Sequence, residues 1–310
     1  MSGGGGTVCC GPASGDAPGE PAVDESFSIL FDSPRFAIVE KSGNMPCHAS
    51  GRYVRNTLER VLLEKAGFPA VFFASRLDRE TSGAVVVAKD AETAGALGRA
   101  MMRREFSKSY LCLARGRAPD GFGTDVWREV SGDLYPATDG QVYKFRVFVP
   151  DDPAAAALAG PDPSVAFTGA SQRATTRLRI VPWESLGVEP DAAAGFVALE
   201  AEPVTGRTHQ IRATVRALGL QVVGDKLYGP SRAIYARMCA GEMTAADAAA
   251  LALPRQALHS WRIALKNPET GERVGAVSDP APLVAAFSTA LQTRSKPEIS
   301  GAIAAKAVFG

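Results

Sequence analysis

Two short runs of apolar, mostly β-branched or small residues, 71–75 and 83–89 (GAVVVAK), read as buried strands, and the stretch between them carries four charges: Arg76, Asp78, Arg79 and Glu80. A fold that buries both runs must also hold the loop that joins them. A charged loop held beside a core is costly unless its charges pair with one another or act on something. The plain alternative is a solvated turn with local Arg and Asp pairs.

The loop sits in a dense alternation of short elements that begins at Phe27. Strands are expected at 36–41, around 110–114, and at 141–149, 175–181, 195–202, 258–265 and 273–277. Helices are expected at 53–66, where Val54, Leu58, Val61 and Leu62 share one face, and at 91–103, 208–218 and 281–291. Two excursions interrupt the pattern: residues 150–171, rich in Pro, Ala, Gly and Asp, and the Ala-rich residues 234–252, which read as one extra helix. No period of 20 to 50 residues recurs. Strands outnumber helices and several connections are short, which points to a mixed or antiparallel sheet with helices packed against it.

With 310 residues, 46% of them hydrophobic, the chain can bury a substantial core, and no run approaches the roughly 18 apolar residues of a membrane span. Five scattered cysteines without a CxxC pair and three distant histidines give no metal spacing, and the cysteine usage fits a reducing, cytoplasmic setting. There is no GxxxxGK[ST] and no GxGxxG after a strand, so no nucleotide cofactor is expected. The net charge of +1 is an average. Residues 1–26, with four consecutive glycines and three prolines, read as a disordered tail whose charges are the acids Asp16, Glu20, Asp24 and Glu25, with no signal or transit pattern. The body then keeps all 34 basic residues against 29 of the 33 acidic ones.

A second segment, Glu202–Thr214 (EPVTGRTHQIRAT) running on to Leu220–Gly229 (LQVVGDKLYG), places Gly206 and Thr208 where a strand gives way to a helix, with Arg207, His209 and Arg212 expected in the first turns. Free backbone N–H groups beside arginines make an anion site. Capping plus a surface helix is the bland alternative.

Together these segments resemble the RluA-type pseudouridine synthases. The family's R-L-D-x-x-T-S-G loop is matched by Arg76–Gly83, its G-R-T-H-Q-I-R by Gly206–Arg212 and its G-D-x-x-Y-G by Gly224–Gly229. Lesser matches keep the family's order: Val39–Lys41 with Met45–His48, Lys108–Tyr110 before Gly116, and Leu258–His259 with Asn267–Gly271. The match spans roughly residues 27–290 and thins across the two excursions. It departs where Lys41-Ser42-Gly43-Asn44 stands for Lys-Pro-x-Gly and where Ser75 precedes the loop in place of the common His. The resemblance is to the shorter type, which has no RNA-binding domain ahead of the core.

It implies a single α+β domain over residues 27–293, with a curved, mainly antiparallel mixed β-sheet, flanking helices and a basic cleft, followed by a C-terminal tail at 294–310. It implies isomerisation of uridine in structured tRNA or rRNA, without a cofactor or metal and away from membranes; a monomer is expected. Asp78 stands for the catalytic carboxylate, Arg212 (with Arg207 as second choice) for its positive partner, and Tyr110 for the tyrosine that stacks on the base. Arg76 resembles the arginine that helps flip the nucleotide, and Arg79, Thr81, Arg207, His209 and Gln210 are further candidates for substrate binding. The basic run from Arg99 to Arg117 offers Arg103, Arg104 and Lys108 to the RNA backbone, and Arg173, Arg177 and Arg179 form a smaller basic cluster. Two rivals remain: an RNA-binding relative without activity, and a hydrolase using Asp78 as general base on a small phosphorylated substrate.

Overall fold

The computed structural model describes residues 19–139, 145–160 and 162–295. In chain order its elements are β1 (Phe27–Asp32), β2 (Phe36–Lys41), α1 (Leu58–Glu64), β3 (Phe72–Phe73), β4 (Ser82–Ala88), α2 (Ala91–Met102), β5 (Ser107–Arg115), β6 (Arg128–Thr138), β7 (Phe145–Pro150), α3 (Pro153–Ala159), β8 (Ala166–Phe167), β9 (Gln172–Ile180), β10 (Phe196–Pro203), α4 (Gln210–Ala217), β11 (Gln221–Val222), α5 (Arg232–Ala240), α6 (Ala245–Leu251), β12 (Leu258–Lys266), β13 (Arg273–Val277) and α7 (Ala281–Ser295). All seven residues of β4 are buried, as expected of a strand covered on both faces, and it lies well inside the sheet.

The sheet runs β1-β2-β4-β12-β5-β10-β9-β6-β7, with β3, β8, β11 and β13 paired off this path to β4, β6, β5 and β12. Among the described pairings only β4 with β12 is parallel, through His259 opposite Ser82 and Ser260 opposite Gly83. This contact fixes the charged loop, because β4 begins where the loop ends. Gly83 has φ +106°, and a Cβ there would lie 2.3 Å from the Ser260 carbonyl oxygen, so backbone and backbone meet at a place no side chain fits. The architecture is the expected α+β class with a mainly antiparallel mixed sheet.

The core has three parts. Ala37, Val39, Val85 and Val87 pack with Met45 and with Leu58, Val61 and Leu62 of α1. Phe36, Ile38, Ala84 and Val86 pack with Leu97 of α2 and with Ile263 and Leu265 of β12. The largest cluster joins β5, β9 and β10 to α4 and α7; there Phe287 stacks on Trp183 at 5.4 Å and meets Phe196 edge-on at 5.2 Å.

Several boundaries differ from expectation. The helix expected at 53–66 is only α1, because Val54, Arg55 and Asn56 turn their N–H groups to the Glu20 carboxylate (2.6–2.7 Å) and Thr57 caps the helix; Val54 is 65% exposed. Glu20 and Val23, which packs beside the Met45 cluster, also show that the expected tail touches the body before Phe27; residues 1–18 lie outside the described residues. The strand at 71–75 shrinks to Phe72–Phe73. The extra helix at 234–252 is two, broken by Gly241 at φ +76° and restarted by a capping box at Thr244 and Asp247. The excursion at 150–171 holds α3 and β8, and the long strand β6 was not expected at all. Of the strand expected at 141–149, residues 141–144 lie outside the described residues, as do 296–310 of the expected C-terminal tail.

Candidate active site

The loop between β3 and β4 is held from several sides. The Thr81 N–H donates to the Asp78 carbonyl at 3.1 Å, closing a tight turn. Glu80 accepts from Lys226 Nζ at 2.9 Å on each oxygen and from Arg79 at 2.8 Å. Lys41, fully buried, donates to the Ser42 carbonyl at 2.7 Å and the Arg79 carbonyl at 3.0 Å, and burial draws its ammonium down to about 8. Gln256 donates to Thr81 Oγ1 at 2.6 Å. Thr81 is therefore buried in the loop's own support.

Asp78 points from this loop into a cleft of about 690 Å³. Its Oδ2 accepts from Arg212 Nη1 at 2.7 Å and, more weakly, from Gln256 Nε2 at 3.4 Å; His209 Nε2 lies 4.0 Å away. Among the described residues none donates to Oδ1. Burial pushes the carboxyl upward, but the attraction of His209 and Arg212 and the bonds from Arg212 and Gln256 outweigh it and hold Asp78 down at about 2. His209 is itself drawn down to about 4, by burial first and by Arg212 next, so at neutral pH the lasting positive charge is that of Arg212.

Arg212 is locked in turn. Its Nε and Nη2 donate to the two oxygens of Asp225 at 2.6 and 2.8 Å, a two-pronged pair in which Asp225 is fully buried. The Leu227 and Tyr228 N–H groups donate to Asp225 at 2.9 Å each, and the Arg212 guanidinium lies 4.9 Å over the Tyr228 ring. Gly224 allows the tight approach: at φ +73° its Cβ would fall 2.0 Å from the Arg255 carbonyl oxygen. The fork is thus aimed from behind, leaving Nη1 to donate to Asp78.

Tyr110 of β5 lines the cleft, 9% exposed, and burial lifts its phenol to about 12. Arg76, Arg104, Lys108 and Arg207 also line it. Arg76 reaches His48 at 3.4 Å, and Lys108 rests over the Phe106 ring at 5.6 Å, its ammonium drawn down to about 8 by burial.

Of the other expected residues, Arg207, His209 and Gln210 also border the cleft and the rest face elsewhere. Arg79 bonds Asn44 (3.0 Å), the Tyr53 hydroxyl (2.8 Å) and Glu80, outside the cleft lining. Arg103 is paired with Glu105 at 2.6 Å, away from the cleft. Gln210 is a buried brace, donating to the Thr175 carbonyl and Thr176 at 2.9 Å and accepting from Thr205 and the Arg207 N–H. Arg207 and His209 precede α4 instead of lying in it, His209 as its N-cap residue at φ +59°. Arg177 and Arg179 pair with Glu202 and Glu200, and Arg173 with Asp151. Asp225 and Gln256 were not singled out. A buried arginine demands a counter-charge, and the lone acid in the apolar run 220–228 is that signal for Asp225; Gln256 has none. Among the described residues no group of three or more His, Cys, Asp or Glu side chains is placed to hold a metal ion.

Comparison with known proteins agrees. Residues 35–217 match the family model described as RNA pseudouridylate synthase. The chain is 27% identical over 250 residues to a ribosomal large subunit pseudouridine synthase D of Nitrosomonas europaea, covering 79% of this chain and 60% of that protein. It is 27% identical over 213 residues to the tRNA pseudouridine(31) synthase of Saccharomyces cerevisiae, covering 69% and 48%. The chain spans about half the length of the curated relatives it matches. The fold is similar to those of human RNA pseudouridylate synthase domain containing 1 (TM-score 0.59, 23% identity, 91% of this chain and all of that one) and domain containing 4 (TM-score 0.56, 16% identity, 85% and 92%). With more than half its length matched by the family model and the RluA-type motifs gathered around one cleft, the chain belongs to the RNA pseudouridylate synthase family.

Proposed function

We propose that this chain isomerises uridine to pseudouridine in structured tRNA or rRNA, with Asp78 as the carboxylate that works on the sugar. The observation that carries this is an ionised, half-shielded aspartate with one oxygen fixed by Arg212 and the other open to the cleft. The reaction breaks the bond from uracil N1 to ribose C1′ and makes one from C5 to C1′; a proton leaves C5 and one is taken up at N1, with no net redox change. Asp78 assists as the glycosidic bond breaks, acting as nucleophile or base, and being anionic at neutral pH it needs no prior proton loss. Arg212 keeps that charge in place. Tyr110 offers a ring on which a base can stack and a phenol that can handle the C5 proton.

The triad of Asp225, Arg212 and Asp78 carries one net negative charge. RNA therefore needs cations at the rim to enter, and Arg76, Arg104, Lys108 and Arg207 supply them. We place the catalytic domain at residues 27–293, acting as a monomer. Among the described residues no helix is long and apolar enough to cross a membrane, and the buried thiols of Cys47 and Cys112 suit a reducing, cytoplasmic setting.

The test uses tRNA and rRNA transcripts tritiated at uridine C5. The wild-type protein releases tritium and a folded Asp78→Asn variant does not. Silence of the wild type on every such transcript, or undiminished release by the variant, overturns the proposal.

A further inference from the structure

His209 faces Asp78 across the cleft without touching it, Nε2 lying 4.0 Å from Oδ2. Its other ring nitrogen, Nδ1, is 3.0 Å from the Tyr228 hydroxyl. That hydroxyl already accepts the Arg146 N–H at 2.8 Å, and Tyr228 is 6% exposed, so the phenol's own proton needs an acceptor and finds it in Nδ1. Burial raises the Tyr228 phenol's pKa and lowers that of His209 to about 4, so both are neutral at physiological pH. A neutral imidazole that accepts at Nδ1 carries its proton at Nε2. The ring is also fixed in place, by the left-handed backbone at φ +59° and by its edge-on contact with Tyr228 at 5.6 Å.

The gap therefore has an N–H donor on one side and a carboxylate acceptor on the other. A carbonyl could satisfy His209 alone and an N–H group Asp78 alone. A hydroxyl satisfies both, accepting from Nε2–H and donating to Oδ2; an oxygen about 2.8 Å from each spans the gap with an angle of about 90° between them. In the reaction proposed above, on which this inference rests, Asp78 works at or beside C1′, and the nearest sugar hydroxyl is that on C2′. We propose that His209, together with Asp78, grips the 2′-hydroxyl of the target ribose and so selects a ribonucleotide over a deoxyribonucleotide. The 2′-hydroxyl is the group that separates RNA from DNA at a single position.

The experiment compares a transcript that supports tritium release with the same RNA carrying 2′-deoxyuridine at the converted position. Both are tested against wild type, against His209→Gly, which suits the positive φ, and against His209→Gln, which restores a donor. Wild type favours the ribonucleotide by a factor on the order of 10 to 100 in kcat/KM, the range of one or two hydrogen bonds involving a charged group. In His209→Gly the preference narrows about tenfold, through loss of activity on the ribonucleotide with little change on the deoxynucleotide, and His209→Gln recovers part of it. Equal losses on both substrates, or an unchanged ratio, overturn the assignment, because a merely structural histidine does not distinguish them. If wild type releases no tritium from any transcript, the proposed reaction is what fails. Equilibrium binding of a short RNA stem-loop with one loop uridine, or one 2′-deoxyuridine, then decides: a ribonucleotide preference lost in His209→Gly sustains the grip, and equal affinities in wild type end it.

Discussion

Replacing Asp225 with Asn tests the proposal that the Asp78 carboxylate works in the reaction and is aimed from behind through Arg212. In the native site two Arg212 nitrogens donate to Asp225 at 2.6 and 2.8 Å, and the Leu227 and Tyr228 amides donate to Oδ1. An asparagine oxygen can keep the amide bonds and one arginine bond. Its NH₂ then meets Arg212 Nε–H, donor against donor, in a place with no solvent. Breaking a buried pair by removing one charge costs about 3–5 kcal/mol, and the retained bonds put the variant at the lower end, about 3 kcal/mol. For a domain of this size that lowers Tm by about 6–12 °C. Arg212 keeps its bond to Asp78 but loses its bearing, and misplacement by about 1 Å costs on the order of 100-fold in rate. Since Asp225 touches no part of the cleft surface, KM for RNA stays within about twofold while kcat falls. Differential scanning fluorimetry and tritium release with saturating RNA give both numbers. A variant that melts within 2 °C of wild type and turns over normally refutes the reasoning, and a rise in KM at constant kcat would assign Asp225 to substrate binding instead.

Gly83→Ala forces a side chain into the Ser260 carbonyl at an unfavourable φ; it is expected to cost about 3 kcal/mol or more, seen as a lowered urea midpoint. Burial holds His259 at about 4, against about 6.5 for an unfolded histidine. The unfolded chain therefore binds the proton first, and stability is lost as pH falls from about 6.5 to about 4, by up to about 3 kcal/mol from this group. Urea unfolding at pH 7.5 and pH 5 checks it, and a His259→Gln variant with an undiminished pH slope over that window would show the loss to come from elsewhere. Arg104→Ser removes a rim cation from the cleft and is expected to lower the slope of log affinity against log salt by about 1, leaving kcat at saturation intact; filter binding at several salt concentrations decides it.

Much of this was legible because apolar runs and charged loops follow simple rules. The apolar run of β4 and the helix at 91–103 stand where the sequence puts them, the strand buried throughout and the helix starting behind an Asp90 cap. By contrast β6, REVSGDLYPAT, hides its strand: Gly132 and Pro136 read as turn residues, yet a Cβ at Gly132 would lie 2.2 Å from the Val149 carbonyl oxygen of the adjacent strand β7. The helix at 53–66 was overextended because Val54 falls on the right face of a helical wheel, and nothing local reveals that Glu20 claims the amides there. In the site, Asp78 and Arg212 could be named from motifs 134 residues apart. Which neighbour each would choose depended on tertiary placement. Arg79, beside Asp78 in sequence, turns away to Tyr53, while Gln256, in no motif, reaches Asp78 because β12 runs parallel to β4.

That parallel pairing decides how the two halves of the sheet are joined. β12 lies between β4 and β5 in the sheet but follows both in the chain and is nearly the last strand among the described residues. Without residues 258–266 the described strands of this order fall into two groups, β1, β2 and β4 on one side and β5, β10, β9, β6 and β7 on the other. Asp78 belongs to the first half and Arg212 to the second. On this topology a chain cut before β12 is expected to hold both residues but to lack the strand that brings their two halves together.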